Sequence, residues 1–298
     1  MMLEAVAADA ARDGSLEVTA LVDWDHDVML PSGVCRQAVA QGHELNALTT
    51  AAAHADWTLL VAPETDGILV DRVARVRAAG AAVLASKTAF LTIAADKQAT
   101  IDALATAGVP VPAGRSLAAG EPAPVGFHLP AVRKARASAG CDGLEIIRGH
   151  PAFSTATIAT RLEALVPGTP VGVSCLCGGG DPEILPPLRQ RFSAGDRPQY
   201  LGSEPLSDRS LAMRAKSLAR RAVAAVEQAS GGAPAVGWVG IDMLLGDRHD
   251  GRNDRVLEVN PRLTTSFVVQ ARTASTSLVR SLIDRAVVSR DHTSSAFR

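Results

Sequence analysis

An α/β fold, with an open parallel sheet at the N-terminal end and further α+β units behind it, is predicted by three observations. The first third alternates short β-like runs with an amphipathic helix: "LEVTALVDW" at 16–24, "WTLLVAP" at 57–63, a helix over 71–79, and "AAVLAS" at 81–86. That βαβ rhythm implies parallel strands. A chain of 298 residues is longer than the roughly 100 to 200 of one domain, so at least two packed units are expected. Near the C-terminal end, "VGWVGIDMLL" at 236–245 and "VLEVN" at 256–260 flank a polar, Gly-containing segment, "GDRHDGRND", which makes them an antiparallel hairpin.

The elements follow in order. The chain opens in a helix-like segment, Met2 to Arg12, where an open α/β domain usually begins with a strand, so either the first strand is absent or the start is assigned too short. A helix from Asp96 to Ala107 turns Ile101 and Leu104 inward and is stopped by "GVPVP" at 108–112. The turn-rich "LAAGEPAPVGFH" at 117–128 reads as a connection into a second unit. A long helix, Ser210 to Ala229, buries Leu211, Ala215, Leu218, Ala222 and Val226 and leaves Arg214, Lys216, Arg220 and Arg221 on a solvated face. Residues 289–298 read as a frayed polar tail, and no internal repeat is visible. The expected division is 1–90, 91–165 and 166–298.

Composition narrows the function classes. With 47% hydrophobic and 20% charged residues this is a globular chain, and a net charge of -1 argues against nucleic acid or an anionic membrane surface as partner. Aromatic residues, at 3%, leave little to stack on bases. No uncharged apolar run approaches the ~20 residues of a membrane helix. Cys35, Cys141, Cys175 and Cys177 have no zinc-site spacing and no secretory signal precedes them, so reduced thiols and a cytoplasmic location are expected.

Chemistry concentrates in the hairpin. The strand period of two puts Glu258 and Asn260 on one face, about 7 Å apart, and Asp242 on the neighbouring strand supplies a third oxygen donor. Two carboxylates and a carboxamide without His or Cys suit a hard divalent cation such as Mg²⁺, which usually takes part of its shell from phosphates. The same spacing also fits a hairpin in which Glu258 forms a salt bridge and Asn260 caps a turn. If phosphates bind, cations are needed, and two lysines are placed for it: Lys97 opening its helix, and Lys134 in "LPAVRKARASAGCDG", where an apolar strand delivers Arg133 and Lys134 into a loop of small residues. That loop matches neither the Walker A pattern nor G-x-G-x-x-G, and a solvated loop is the alternative. The seven histidines are scattered and read as structural or exposed.

In combination these features resemble the ATP-grasp superfamily of carboxylate-amine ligases. Lysine in "DK" before "GVPVP", lysine after "LPAV", "VPG" at 166–168, then "GIDMLL" and "LEVNPRLTTS" occur in that family's order, across roughly residues 60–285. Within it, "VAPETDGIL" at 61–69, "LRQRF" at 188–192, "QYLGSEP" at 199–205 and "NPRLTTSF" are similar to the tyramine-glutamate ligase type of methanofuran and methylofuran biosynthesis. The resemblance implies two small subdomains clasping ATP behind an N-terminal domain. Asp242, Glu258 and Asn260 would hold two Mg²⁺, with Mn²⁺ as a substitute. Lys97 and Lys134 would bind ATP phosphates, the segment from Glu163 through Leu165 to Val166 would meet the adenine, and Arg262 would face the transferred phosphoryl group or acyl phosphate. The acidic hinge residue stands one position off the usual pattern, at Glu163. The implied reaction is ADP-forming amide synthesis from a small-molecule carboxylate, with glutamate as candidate, and an amine. Arg189, Arg191 and the hydroxyls of Thr264, Thr265 and Ser266 would hold a further carboxylate, with Arg189 and Arg191 as solvent-exposed loop cations the alternative. A kinase of similar fold and a non-catalytic ATP-binding module are the alternatives, and the sequence leaves open whether the chain is a homodimer.

Overall fold

The computed structural model describes residues 2–141, 143–149 and 155–295. Its N-terminal segment runs α1 (Met2–Ala11), β1 (Val18–Asp23), β2 (Val34–Val39), α2 (Glu44–Ala53), α3 (Ile68–Ala78) and α4 (Thr88–Ala95). Strands β1 and β2 pair in parallel from Val18↔Val34 to Asp23↔Val39, and β2 is the one strand paired with β1 among the described residues. The runs at 57–63 and 81–86 lie side by side but are held by a single parallel bridge, Thr58↔Val83, instead of forming full strands. Helix α1 packs its Val6 and Ala10 with Leu278 and Leu282 from the far end of the chain.

A small antiparallel sheet comes next: β3 (Gly114–Leu117), β4 (Ala131–Ala135), β5 (Glu145–Ile147) and β6 (Thr160–Ala164), in the order β3-β6-β4-β5. This corrects two expectations. The turn-rich stretch does not lead into a second unit: it joins β3 to β4 inside one sheet, and its Phe127, with Leu129 just beyond it, packs on Leu117, Ala131, Ile147 and Leu162. Arg133 and Lys134 are residues of β4 itself, so their directions are set by strand alternation. The loop that follows them includes residue 142, which lies outside the described residues.

The large sheet holds β7 (Thr169–Cys177), β8 (Glu183–Ile184), β9 (Leu188–Phe192), β10 (Tyr200–Pro205), β11 (Gly237–Leu245) and β12 (Arg255–Asn260), ordered β10-β9-β7-β11-β12 with β8 paired to β7. One face carries Val171, Val173, Cys175, Val239, Ile241 and Met243 and is covered by α6 (Arg209–Ala229), whose Ala215, Leu218, Ala222 and Val226 are buried against it. Asp208 caps that helix by accepting from the Leu211 amide at 3.0 Å. Helix α5 (Lys97–Thr106) packs Ile101 and Leu104 into the same core, and Asp96 caps it through the amides of Gln98 and Ala99. Arg214 departs from its expected place on a solvated face. Its guanidinium bonds the Asp254 carboxylate at both oxygens and the Gly246 carbonyl at 2.8 Å, clamping α6 to the loop between β11 and β12.

Helices α7 (Ser266–Thr273) and α8 (Leu278–Ser295) close the chain. The expected polar tail is helical as far as Ser295, and 296–298 lie outside the described residues. All four cysteines are free, and among the described residues no helix is long and apolar enough to cross a membrane.

Candidate active site

The β11–β12 hairpin places Asp242 directly opposite Glu258 and Gly240 opposite Asn260. Their shared face is the one α6 leaves uncovered. The Asn260 amide donates to Asp242 at 2.9 Å and to Glu258 at 3.4 Å. Gln190 on β9 reaches across β7 and donates to the other Asp242 oxygen at 2.7 Å. It can do so because β7 carries Gly172 at that point, where a Cβ would stand 2.9 Å from the Gln190 amide nitrogen. Gly240 is likewise required, since a Cβ there would meet the Thr264 methyl at 2.6 Å.

Two lysines reach this hairpin from different elements. Lys97, the first residue of α5, sits 3.4 Å from Glu258 and donates to the Ser138 carbonyl at 2.6 Å. Lys134 on β4 donates to the Leu257 carbonyl of β12 at 3.1 Å and pairs with Glu163 at 2.8 Å. Both lysines are 5% exposed. Burial and the facing Glu258 carboxylate push Asp242 up to about 7. Burial also works against ionisation of Glu258, but Lys97 and Lys134 outweigh it and hold that carboxyl down to about 2. Two buried carboxyl groups thus face each other and oppose each other's ionisation, an arrangement a cation between them would relieve.

Arg262 follows Pro261 at the strand end and gives its fork to both oxygens of Glu64, from the turn before α3, while its third nitrogen donates to the Leu263 carbonyl at 3.0 Å. Burial opposes its charge, but Glu64, with Glu258 and Asp242 adding, raises its affinity for the proton. The turn also holds Asp66 at φ 52, the left-handed region.

The pre ATP-grasp 3 domain family matches residues 18–89, and the ATP-grasp domain family matches residues 94–266, more than half of the chain. The chain belongs to the ATP-grasp family. Among solved structures, an ATP-grasp superfamily protein from Archaeoglobus fulgidus is 21% identical, covering 95% of this chain and 81% of its own, with a TM-score of 0.68. A D-alanine–D-alanine ligase from Bacillus anthracis, complexed with ATP, is 16% identical over 98% of this chain and 96% of its own, at 0.65. An L-amino acid ligase from Bacillus licheniformis is 15% identical over 95% and 71%, at 0.69. At these identities the likeness is one of fold. No curated protein matches the chain.

Within the ATP-grasp domain, the sequence-predicted residues Lys97, Lys134, Asp242, Glu258, Asn260 and Arg262 come together, and three details differ from expectation. Glu163 is not turned toward an open hinge: it is buried, with one oxygen on Lys134 and the other on Arg161 at 3.0 Å, and the Leu165 amide is given to the Pro130 carbonyl. Arg189 pairs with Val171 in register, so Arg189 and Arg191 stand on the α6 face, opposite to Gln190 and the hairpin carboxylates. They therefore cannot join Thr264 in one carboxylate site. The Thr264 and Ser266 hydroxyls bond each other at 2.6 Å, with Trp238 donating to Thr264 at 3.1 Å and Ser174 2.9 Å from Ser266. Glu64, Gln190 and Arg161 also belong to the site and are hardly legible in the sequence. Only the "PETDG" turn and the charge alternation in "RLE" hinted at two of them.

Proposed function

We propose that the protein is an ATP-dependent, ADP-forming carboxylate-amine ligase. The observation that carries this reading is the convergence of two buried lysines, from α5 and β4, on the Asp242–Glu258–Asn260 cluster of β11 and β12. In this reading Lys97 and Lys134 supply fixed positive charge for the ATP phosphates, and the Leu165–Val166 segment, between β6 and β7, is the stretch that would meet the adenine. The donor set fits Mg²⁺ or Mn²⁺: two carboxylates and a carboxamide on adjacent strands, in a pocket where Asp242 resists ionisation without a cation, with the Asn260 amide, whose nitrogen faces the carboxylates, turning its oxygen inward to serve as a ligand. Bound there by Asp242, Glu258 and Asn260, two such ions would neutralise charge on the phosphoryl oxygens.

A carboxylate is a poor electrophile, and transfer of the γ-phosphoryl group to it gives an acyl phosphate that an amine attacks, releasing phosphate. The lysines orient and neutralise the group in flight. Arg262, held by Glu64, presents fixed positive charge beside the carboxylates rather than a free fork. The small sheet, tied down through Lys134 to Leu257, excludes water from the reactive anhydride. Glutamate is the acid to test first and tyramine-like amines the partners, on the likeness of "PETDGIL" and "NPRLTTSF" to the tyramine-glutamate ligase type.

The test is ADP release from Mg·ATP across a panel of amino acids and amines. A ligase requires both a carboxylate and an amine, and Glu258→Gln abolishes turnover while the melting profile is kept. ADP release with a phosphorylated product and no amine requirement would make the protein a kinase, and full activity in Glu258→Gln would remove the metal assignment.

A further inference from the structure

The small sheet buries more positive charge than it balances. Lys134 on β4 stands directly opposite Arg161 on β6 in the antiparallel register, and the two are 5% and 2% exposed. Like charges in that position repel. Glu163, two residues further along β6 and therefore on the same face, stands between them: one oxygen is 2.8 Å from the Lys134 ammonium and the other 3.0 Å from the Arg161 Nε. Within the sheet one carboxylate thus serves two buried cations, and the other carboxylate that Lys134 acts on, Glu258, is shared with Lys97, which leaves three cations to these two acids. A cluster with one positive charge in excess is costly inside a protein unless an anion completes it.

Arg161 is anchored on every side. Beyond Glu163, its Nη1 donates to the Gln98 side-chain oxygen on α5 at 2.6 Å and its Nη2 to the Pro112 carbonyl at 3.2 Å. Gln98 is the neighbour of Lys97, so a continuous chain of polar contacts runs from the start of α5 through Arg161 and Glu163 to Lys134. The planar guanidinium fixes direction in a way the flexible lysine stem cannot.

We propose that Arg161 is a positioning residue for Lys134: it holds Glu163 in place and takes up part of its charge, so that Lys134 is aimed by the carboxylate without being neutralised and remains available to the ATP phosphates. This rests on the reading of Lys134 as a phosphate-binding lysine. Without Arg161, Glu163 turns its full charge on Lys134 and competes with the nucleotide.

The experiment is a set of Mg·ATP dissociation constants by calorimetry on the full chain, with each variant's fold checked by its circular-dichroism melt. Lys134→Met weakens binding. Arg161→Gln weakens it about tenfold, the usual scale for losing a contact to a charged group. In the Lys134→Met background, Arg161→Gln then has no further effect, and the Arg161→Gln, Glu163→Gln pair binds as well as Glu163→Gln alone, which a merely structural role for Arg161 would not produce. An equal penalty with and without Lys134, or no penalty at all, overturns the inference. Unchanged affinity in Lys134→Met overturns the underlying reading as well, so the two failures are told apart. If Arg161→Gln does not fold, Gln98→Ala loosens the same guanidinium through its 2.6 Å contact and gives the cycle at about threefold amplitude; absence of that effect is equally fatal.

Discussion

Raising the pH of the metal-free protein tests the charge arrangement of the hairpin without any knowledge of substrates. Asp242 is raised from 3.8 to about 7 by burial and by the Glu258 carboxylate across the strand pair. In the unfolded chain the same group is ionised throughout the neutral range, so between 3.8 and about 7 the native state binds one proton more. A raised carboxyl makes stability fall as pH rises, by at most about 1.4 kcal/mol per pH unit. Between about pH 5 and about pH 7 the loss comes to about 2 kcal/mol. Glu258, lowered from 4.5 to about 2, adds no slope above its unfolded value, because it is charged in both states there. The assay is urea denaturation at several pH values, for the protein and for Asp242→Asn, whose difference removes contributions from histidines and other groups. The difference curve should slope downward across the window and flatten when millimolar Mg²⁺ is present. A flat or rising difference curve without metal would show that the two carboxylates do not oppose each other as described.

Three further outcomes are expected. Arg214→Met leaves the Asp254 carboxylate buried and short of its main partner, and should cost about 3 kcal/mol in urea denaturation, whereas Lys216→Met on the exposed side of the same helix should stay within about 0.5 kcal/mol; equal effects would refute the clamp. Gly172→Ala puts a Cβ 2.9 Å from the Gln190 amide and should destabilise by about 1 kcal/mol, a penalty that shrinks in a Gln190→Ala background if Gln190 is what it strikes. Burial pushes Cys175 up to about 12 and Cys177 well above the ordinary thiol range, while Cys35 is exposed. Alkylation followed by peptide mapping should therefore find Cys35 modified in the native protein and Cys175 and Cys177 only after unfolding.

What could be read from the chain was what depends on local period. Alternation alone put Glu258 and Asn260 on one face, and a polar loop between two apolar runs was enough to bring Asp242 opposite Glu258. The helical stripe of α6 came out by the same reasoning. Contacts whose partners are far apart did not. Gln190 reaches Asp242 across β7, and Glu64 reaches Arg262 over 198 positions, neither of which any spacing encodes. The role of Arg214 is not legible because a helix stripe says which residues face the core but not that a hairpin loop will bring Asp254 to its edge. Strand β2 escaped notice because its burial pattern leaves Cys35, Arg36 and Ala38 exposed, so its composition carries no clean alternation. Arg189 and Arg191 were placed by their type; the strand's alternation, once Gln190 is fixed, sends them the other way.

The pair between Glu64 and Arg262 bears on how this chain can be taken apart and recombined. Glu64 belongs to the segment matched by the pre ATP-grasp family and Arg262 to the segment matched by the ATP-grasp family. The same two segments also meet where Ala85 bridges Gly237, at a spot where a Cβ on Gly237 would collide with the Leu84 carbonyl. A chimaera that grafted a foreign N-terminal segment onto residues 94–266 would have to bring a carboxylate to the same point, or leave a bare guanidinium beside Asp242 and Glu258 as a competitor for their negative charge. The two segments are therefore not interchangeable cassettes: a replacement for the first must supply an acid where Glu64 meets Arg262.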